Sequence, residues 1–357
     1  MKPYIYLRAL KHADYTVFCV QDGQKTYWDE QFRRSVPFSS GQQVKRSILT
    51  ALLEDLNVAP SPTTFVAELD NNKKLSDKEP HSSCDPSYVD QLLGGWMMAK
   101  AGGTERTLKR RSPLSISAMR ALHPLLAGVP QENISFDRSS SAEYNKVIVR
   151  GVDGNELSEE EISRLLEGTD RSLYRRWIPD QKRATGLFVY DIAIDLRTLF
   201  CVSLNELEPE VNKETIDKLK KAGWAESRNV FGKCLVMPKA QRDKVIPALA
   251  NALIDWRITS NQARTFSLME TLAIAISDNA NTLASTIRAK LIDDGERAKA
   301  KPIVDENTKA DLYVSLACSN YIVTESESAE AIDKAKEKLI NMMTKYNYEN
   351  QELPEME

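Results

Sequence analysis

Apolar residues recur along this chain with two different periods. The stretch "GLFVYDIAIDL" places Phe188, Tyr190, Ile192, Ile194 and Leu196 at every second position, which predicts a strand with one buried face. The opening "YIYLRAL" and the nearby "TVFCV" are rich in aromatic and β-branched residues and predict two further strands. Helical patterns lie between such segments, so the sequence predicts an α+β core.

The stretch "SSGQQVKRSILTALLEDL" has helical spacing. Its apolar stripe consists of Val44, Ile48, Ala51 and Leu52. Ser39 or Ser40 can cap the start of this helix, and Lys45 and Arg46 fall away from the apolar face. Cations therefore lie close to a helix N-terminus, whose free N–H groups already favour anions.

Later segments alternate between the two types. The sequence predicts a strand in "KCLVMP", a helix from about Lys239, and a strand in "DLYVSLACS". A capping box of Thr324 and Glu327 predicts the start of a last helix. Its inward-facing residues are Ile332, Leu339, Ile340 and Met343.

Two polar interruptions divide the pattern. Residues 58–103 contain "NNKKLSDKEPHSSCDPS" and "GGWMMAKAGG", which is typical of a long functional insertion. Residues 139–185 form the second interruption, with a short predicted strand in "KVIVRGVDG" and an acidic helix start in "SEEEISRLLEG". The predicted core resumes at "GLFVYDIAIDL".

Composition narrows the class of protein. The 357 residues can form one large domain with insertions or two domains. No apolar run reaches the roughly 18 residues of a membrane span, and the start resembles no signal peptide, so we expect a cytoplasmic protein. The five cysteines have no paired spacing, which favours buried, reduced thiols over zinc or disulfide sites. We expect neither a metal nor another cofactor.

The net charge of −3 conceals a strong asymmetry. Residues 98–150 hold nine Lys or Arg against four Asp or Glu, whereas residues 302–357 hold five against twelve. In the basic segment, Leu114 and Ile116 point one way and Ser115 and Ser117 the other, as in a strand with one hydroxyl-bearing face. Cations mixed with hydroxyls suit a phosphate backbone, although a solvated surface would have the same composition.

A second basic cluster contains aromatic residues. Arg175 and Arg176 lie beside Tyr174 and Trp177, so phosphate-pairing groups adjoin rings that can stack on unpaired bases. The alternative is that both rings anchor the insertion to the core. A third, weaker element is the polar turn "SNQARTFS".

The sequence lacks the common enzyme motifs. It has no phosphate-binding Gly-rich loop, no paired-histidine metal motif and no nucleophile elbow. Asp191 and Asp195 lie on one face of a strand but roughly 13 Å apart, too far for one metal ion. A metal-independent ribonuclease using His12 or His123 stays open, because the RNA 2′-hydroxyl can act as nucleophile beside a general base.

Five short motifs, in this order, resemble one known family. They are "IYLRAL", "SSGQQVKRSI", "KRRSPLSISAMRALHP", "GLFVYDIAIDL" and "SNQARTFS". Together they resemble the DevR-type autoregulator family, the Cas-seven backbone subunits of type I CRISPR Cascade complexes, with an I-B-like pattern. The resemblance covers residues 1 to about 267.

The resemblance implies a modified RRM-like (ferredoxin-like) palm formed by residues 1–57, 107–138 and 186–357. Residues 58–106 would be the fingers and residues 139–185 the thumb. Family members polymerise along CRISPR RNA and present the guide for pairing with target DNA, so the implied partners are the CRISPR RNA, the target strand, neighbouring copies and other Cascade subunits. The implied role is non-catalytic.

The resemblance also assigns RNA-binding positions. The matching residues are Gln42, Lys45, Arg46, Ser47, Arg106, Lys109, Arg110, Arg111, Ser115, Ser117, Tyr174, Arg175, Arg176, Trp177, Asn261 and Arg264. A ribonuclease that processes CRISPR repeat RNA is the main alternative, and a regulator that binds duplex DNA is the third possibility. The acidic segment after Lys301 matches no motif of the family.

Overall fold

This computed structural model describes residues 2–18, 23–69, 74–78, 80–98, 106–137, 139–258, 266–292, 295 and 297–351. Its α-helices within these ranges are α1 (Gly41–Leu56), α2 (Val89–Gly94), α3 (Glu159–Leu166), α4 (Lys213–Lys221), α5 (Lys239–Asp255), α6 (Ala280–Thr286) and α7 (Ala331–Thr344). The strands of the first half are β1 (Tyr4–Thr16), β2 (Thr26–Asp29), β3 (Arg34–Ser39), β4 (Thr63–Thr64), β5 (Ala67–Leu69), β6 (Leu75–Asp77), β7 (His81–Ser82), β8 (Trp96–Met98), β9 (Leu108–Arg110), β10 (Leu114–Ile116), β11 (Met119–Ala121), β12 (Ala127–Gly128) and β13 (Gln131–Asp137). The remaining strands are β14 (Arg175–Lys182), β15 (Ala184–Asp195), β16 (Cys201–Ser203), β17 (Ala225–Asn229), β18 (Gly232–Val236), β19 (Thr271–Ser277), β20 (Ile287–Ile292), β21 (Lys299–Val304) and β22 (Asp311–Val314).

One large antiparallel sheet organises the fold. Its strand order is β2-β3-β11-β15-β1-β19-β22, and the short strands β10 and β12 also pair with β15. The long pairing of β15 with β1 joins Tyr4 to Asp195 at one end and Thr16 to Ala184 at the other. Helices combined with an antiparallel sheet confirm the α+β class.

The central strand β15 is buried as its alternation predicts. Phe188, Tyr190, Ile192 and Ile194 are at most 2% exposed and share one face. On the opposite face, Leu187 and Val189 are also buried, in a second hydrophobic cluster. The strand therefore lies between two cores.

Helices cover the first of these faces. Ile5, Leu7 and Ala9 of β1 pack in the larger cluster, to which α1, α5 and α7 contribute apolar side chains. Leu10, the next residue of β1, belongs to the second cluster, which includes residues of α6 and β20. Because neighbouring residues of a strand point to opposite faces, the two clusters lie on opposite sides of the sheet.

Helix α1 follows its sequence signals. Ser40 is the N-cap and accepts a hydrogen bond from the Gln43 N–H at 3.3 Å. Val44, Ile48 and Leu52 are fully buried, whereas Ala51 of the predicted stripe is only half-buried. This helix carries the first group of predicted binding residues.

Three local predictions are wrong. The opening forms one long strand, β1, and Val17 and Phe18 beyond it are buried outside any strand, with the Phe18 N–H bound to Gln24. Residues 146–154 form only a single bridge, between Arg150 and Glu156. Helix α7 begins at Ala331, well after Thr324. The Thr324 hydroxyl donates to Glu306 instead of capping a helix.

Strand β1 also buries a lysine. The Lys11 ammonium donates to the Ile254 carbonyl at 2.9 Å and to the Thr271 hydroxyl at 2.8 Å. Burial lowers the pKa of Lys11 to about 7, because the charged form loses its hydration. Lys11 thus joins the end of α5 to the start of β19.

The chain divides into two compact units. Unit 1 contains residues 1–128 and 184–357, and unit 2 contains residues 129–183. Unit 2 starts before the expected thumb boundary at residue 139, because β13 pairs with β14. Cys201, Cys234 and Cys318 are buried free thiols, as expected, Cys84 is buried as well, and Cys19 lies outside the described residues. Among the described helices, none combines the length and apolar character that crossing a bilayer requires.

Candidate nucleic-acid interface

The first turns of α1 line an open groove. Gln42 and Arg46 are exposed and Lys45 is half-buried, and all three lie on one side of the helix at i, i+3 and i+4 spacing. Across the groove lie the chain around Pro60 and the end of α2, and the enclosed volume is about 890 Å³. Three of the predicted residues are therefore together at this surface.

Lys45 has a structural partner in this groove. Its ammonium donates to the Gly94 carbonyl at 2.8 Å. Burial lowers the pKa of Lys45 to about 8. Lys45 is mostly protonated at neutral pH, but one of its donors is already used within the protein.

Ser47 does not reach the groove. It is 8% exposed, and its hydroxyl donates to the Gln43 carbonyl within the helix at 3.0 Å. Position 47 faces the core side of α1, next to Ile48. The Ser47 hydroxyl is thus used within the helix, and its contact with RNA stays a prediction.

The C-terminus of α2 is capped by the basic segment. A helix leaves its last carbonyls without partners in the helix. Here Leu92 O accepts from Arg110 Nε at 3.2 Å, and Leu93 O lies 2.7 Å from the Ser112 hydroxyl. Gly94 O accepts from Lys45. Two predicted RNA-binding cations therefore complete a helix end, where positive charge is favourable.

Arg110 is buried rather than exposed. Its side chain forms an ion pair with Glu210 at 2.9 Å and donates to the Thr198 carbonyl at 2.8 Å. Its guanidinium also lies over the Trp96 ring, 5.7 Å from the ring centroid. With an exposure of 3%, the Arg110 guanidinium lies inside the protein and not at the groove surface, and its RNA-binding role stays a prediction.

The neighbouring cations face outward. Lys109 and Arg111 are exposed on either side of Arg110, as strand alternation requires. Arg106 is exposed as well, and it donates to the Leu207 carbonyl. The backbone of Arg111 lies against Gly95, which lines the α1 groove. Arg111 is thus next to the groove that contains Arg46.

A second cavity lies on the sheet face covered by α6. Its volume is about 450 Å³, and its polar lining residues are Tyr6, Arg8, Ser115, Ser117 and Asp191. Ser115 is exposed, whereas the Ser117 hydroxyl is held by the Asp191 N–H at 2.8 Å. The predicted serines therefore line a different surface from the α1 groove.

Asp191 is the centre of a charged cluster in this cavity. It accepts from Arg8 Nε at 2.6 Å and from Arg120 at 2.8 Å. Burial alone would raise the pKa of Asp191, but hydrogen bonds and charge from these arginines lower it. Two cations face one carboxylate, which leaves one excess positive charge. Neither Arg8 nor Arg120 is among the residues predicted from the sequence, although Arg8 continues the alternation of Tyr4 and Tyr6.

Gly41 brings the groove and the cavity close together. A Cβ at this position would lie 2.9 Å from the Ile116 carbonyl oxygen and 3.3 Å from the Ser117 carbonyl carbon. The N-terminus of α1 therefore packs directly on the chain after β10, as only glycine permits. Gln42 on one side lines the groove and Ser117 on the other lines the cavity.

The remaining predicted residues lie elsewhere. In unit 2, Arg175 is exposed and pairs with Asp137 at 2.8 Å, Arg176 is exposed, and Tyr174 is half-buried. Trp177 belongs to β14, but its side chain is outside the described part of the structure. Asn261 and Arg264 also lie outside the described residues.

The histidines of the ribonuclease alternative have different surroundings. His12 is part-buried, with Nδ1 3.0 Å from the Tyr321 hydroxyl and 3.8 Å from Glu270, and its ring stacks on Tyr321. His123 accepts from the Leu125 N–H, and burial lowers its pKa. His12 has a hydroxyl and a carboxylate close to one ring nitrogen, whereas the charged groups near His123 are Asp29 and Arg34. Over the described residues, no cluster of His, Cys, Asp and Glu is arranged to hold a metal ion.

Comparison with known proteins gives matches among solved structures only. No family model and no curated protein matches the sequence. A chain of a "CRISPR RNA-guided surveillance complex, pre-nicking" matches at 10% identity with a TM-score of 0.44, covering 95% of this chain and 89% of that chain. A chain of a "CRISPR RNA-guided surveillance complex" matches at 12% identity with a TM-score of 0.40, covering 94% and 99% respectively.

Proposed function

We propose that this protein is a non-catalytic, CRISPR RNA-binding backbone subunit of a type I Cascade effector complex. Its unit 1 would act as an RRM-like palm with fingers, and unit 2 as the thumb. Copies would polymerise along the guide in the cytoplasm and present it for pairing with target DNA. The order of the sequence motifs suggests this function.

One arrangement carries the proposal. Gln42 and Arg46 are exposed in a groove at the N-terminus of α1, and exposed Arg111 lies beside the same groove. A helix N-terminus and two outward cations favour a phosphate backbone. Contacts of this kind do not distinguish bases, so base pairing by the guide would supply the sequence specificity.

The first experiment reverses the two outward charges. We expect the double variant Arg46→Glu and Arg111→Glu to bind unstructured RNA at least about tenfold more weakly, to a similar extent for different sequences. The salt slope should be smaller by about 1.4, because each phosphate contact on a single strand contributes about 0.7. Fluorescence anisotropy at several salt concentrations measures both quantities. Lys45 and Arg110 stay unchanged because both cap α2.

The control reverses Lys221 and Lys244, two exposed lysines on α4 and α5. Their reversal changes the net charge equally but leaves the groove intact. Equal binding by the groove variant and the wild type, or an equal loss in both variants, would count against the proposal.

The geometry around His12 keeps a metal-independent ribonuclease as the second candidate. A histidine beside the Tyr321 hydroxyl and Glu270 has the partners that proton transfer requires. Incubating the protein with repeat RNA in the presence of a chelator separates the two functions. Cleavage that is lost in His12→Ala would establish the enzyme, and intact RNA supports the non-catalytic subunit.

A further inference from the structure

The hairpin formed by β20 and β21 has two chemically different faces. Ile287 pairs with Val304, Ala289 with Pro302 and Leu291 with Ala300, so these six residues share one face. Ile287 is fully buried in the second hydrophobic cluster, and Val304 packs against that cluster. The apolar face therefore fixes the hairpin to unit 1.

The other face is basic. Arg288, Lys290, Lys299 and Lys301 are exposed on it, and Ile292 and Ile303 are the two apolar residues of the same face. Neither strand contains an acidic residue, since Asp293, Asp294 and Glu296 all belong to the connection between the strands. The hairpin thus concentrates positive charge on its outward surface.

Two of these lysines oppose each other directly. Lys290 and Lys301 form one rung of the ladder, and no ion pair involves either of them within the described part of the chain. Like charges directly opposite across a strand pair destabilise a sheet. This repulsion is relieved when an anion binds between the two ammonium groups.

The spacing of the cations suits a phosphate backbone. Residues two apart on a strand are about 6.7 Å apart, close to the separation of successive phosphates along a nucleic-acid strand. The cations of β20 and those of β21 form two rows, side by side on a two-stranded β-ribbon. The major groove of duplex DNA is wide enough for such a ribbon. Neither strand has an aromatic residue that could stack on an unpaired base.

We propose that the outward face of the β20–β21 hairpin binds the phosphate backbone of double-stranded DNA without sequence preference. Its ligand differs from the single-stranded RNA assigned to the α1 groove. The hairpin packs on the second hydrophobic cluster, whereas α1 packs on the first, across the central sheet. A duplex can therefore occupy the hairpin without using Arg46 or Arg111. This inference does not depend on the proposed function.

The test compares two variants with two ligands. In the full-length protein, the triple variant Arg288→Gln, Lys290→Gln and Lys301→Gln should bind random-sequence duplex DNA at least about tenfold more weakly, with a salt slope smaller by about 2.7. Its affinity for unstructured RNA should stay within about twofold of wild type. The groove variant Arg46→Glu and Arg111→Glu should keep its duplex affinity.

Thermal unfolding checks that the triple variant is folded. Its melting temperature should equal or exceed that of the wild type, because the substitutions remove the repulsion between Lys290 and Lys301. The matched control Lys213→Gln, Lys221→Gln and Lys244→Gln also removes three exposed positive charges and should keep duplex affinity. Unchanged duplex binding by the triple variant, or equal losses for duplex DNA and RNA, would overturn the assignment.

Discussion

Arg110 and Arg111 are neighbours in sequence with opposite environments. Arg110 is buried against Glu210 and the end of α2, whereas Arg111 is exposed. We expect Arg110→Ala to lower the free energy of unfolding by about 3 to 5 kcal/mol, because it leaves Glu210 and several carbonyls without their donor. Arg111→Ala should change it by less than about 0.5 kcal/mol. Urea denaturation of both variants measures the difference.

Equal stability of the two alanine variants would contradict this description of Arg110. The replacement Arg110→Lys gives a second check, since it keeps the charge but cannot reproduce the forked set of hydrogen bonds. It should be intermediate between wild type and Arg110→Ala in the same urea measurements.

The sequence indicates that Arg110 is buried, but it does not identify the partner of Arg110. Leu108 and Arg110 are two residues apart on β9, so alternation places Arg110 on the face of a buried leucine. Its partner Glu210 is a hundred residues away in the chain and has no local signal. The burial of Lys11 could not be predicted from the sequence either, because its partners Ile254 and Thr271 are distant in the chain.

At the scale of the elements, the end of α2 is in close backbone contact with the chain after β9. Gly95 follows this helix with a φ of +76°, and a Cβ there would lie 2.6 Å from the Arg110 carbonyl oxygen and 2.7 Å from the Ser112 nitrogen. We expect Gly95→Ala to cost about 1 to 3 kcal/mol beyond the backbone strain itself, because two backbone atoms must move. Thermal or urea unfolding measures this cost.

Gly223 supplies the matched control. Its φ of +88° is also positive, but among the described residues the only atom within 4 Å of a Cβ there is in the Pro238 ring, at 3.7 Å, an ordinary contact. Gly223→Ala should therefore show the backbone cost alone, about 1 kcal/mol. A Gly95→Ala protein as stable as Gly223→Ala would show that β9 does not press on α2.

Local patterns predict elements well where the burial is regular. The buried alternation of β15 and the cap and stripe of α1 are both confirmed. The division of β1 into two strands is wrong, because Tyr15 adopts a φ of +41° and the register shifts only near its end. Capping motifs are less reliable, since Thr324 and Ser158 have the same pattern but only Ser158 starts a helix.

At the scale of the whole molecule, unit 2 leaves and re-enters unit 1 at one place. Gly128 pairs with Thr185 across β12 and β15, so the two connections are neighbouring strands. We expect that replacing residues 130–183 with a Gly/Ser turn of about four residues leaves unit 1 folded, because such a turn spans paired strands. Circular dichroism and urea unfolding test this, and an unfolded product would contradict it.

The candidate interface is only partly visible in the sequence. Local patterns identify the outward cations Arg46 and Arg111, and in the structure the Arg111 backbone lies against Gly95, which lines the same groove as Arg46. The sequence analysis could not place Ser115 and Ser117 on another face from Arg46, because that separation depends on how β10 joins the sheet. It also passed over the basic β20–β21 hairpin, whose charges become one surface only through strand pairing.

Strand β1 contributes side chains to both faces of the central sheet. Ile5, Leu7 and Ala9 point into the core beneath the helices, and Tyr6 and Arg8 point into the cavity under α6. A single residue inserted early in β1 would move each set of side chains to the opposite face of the sheet. It would place the Arg8 guanidinium in the hydrophobic core and a leucine in the polar cavity. The register of β1 with its two neighbouring strands therefore has little tolerance for insertions or deletions.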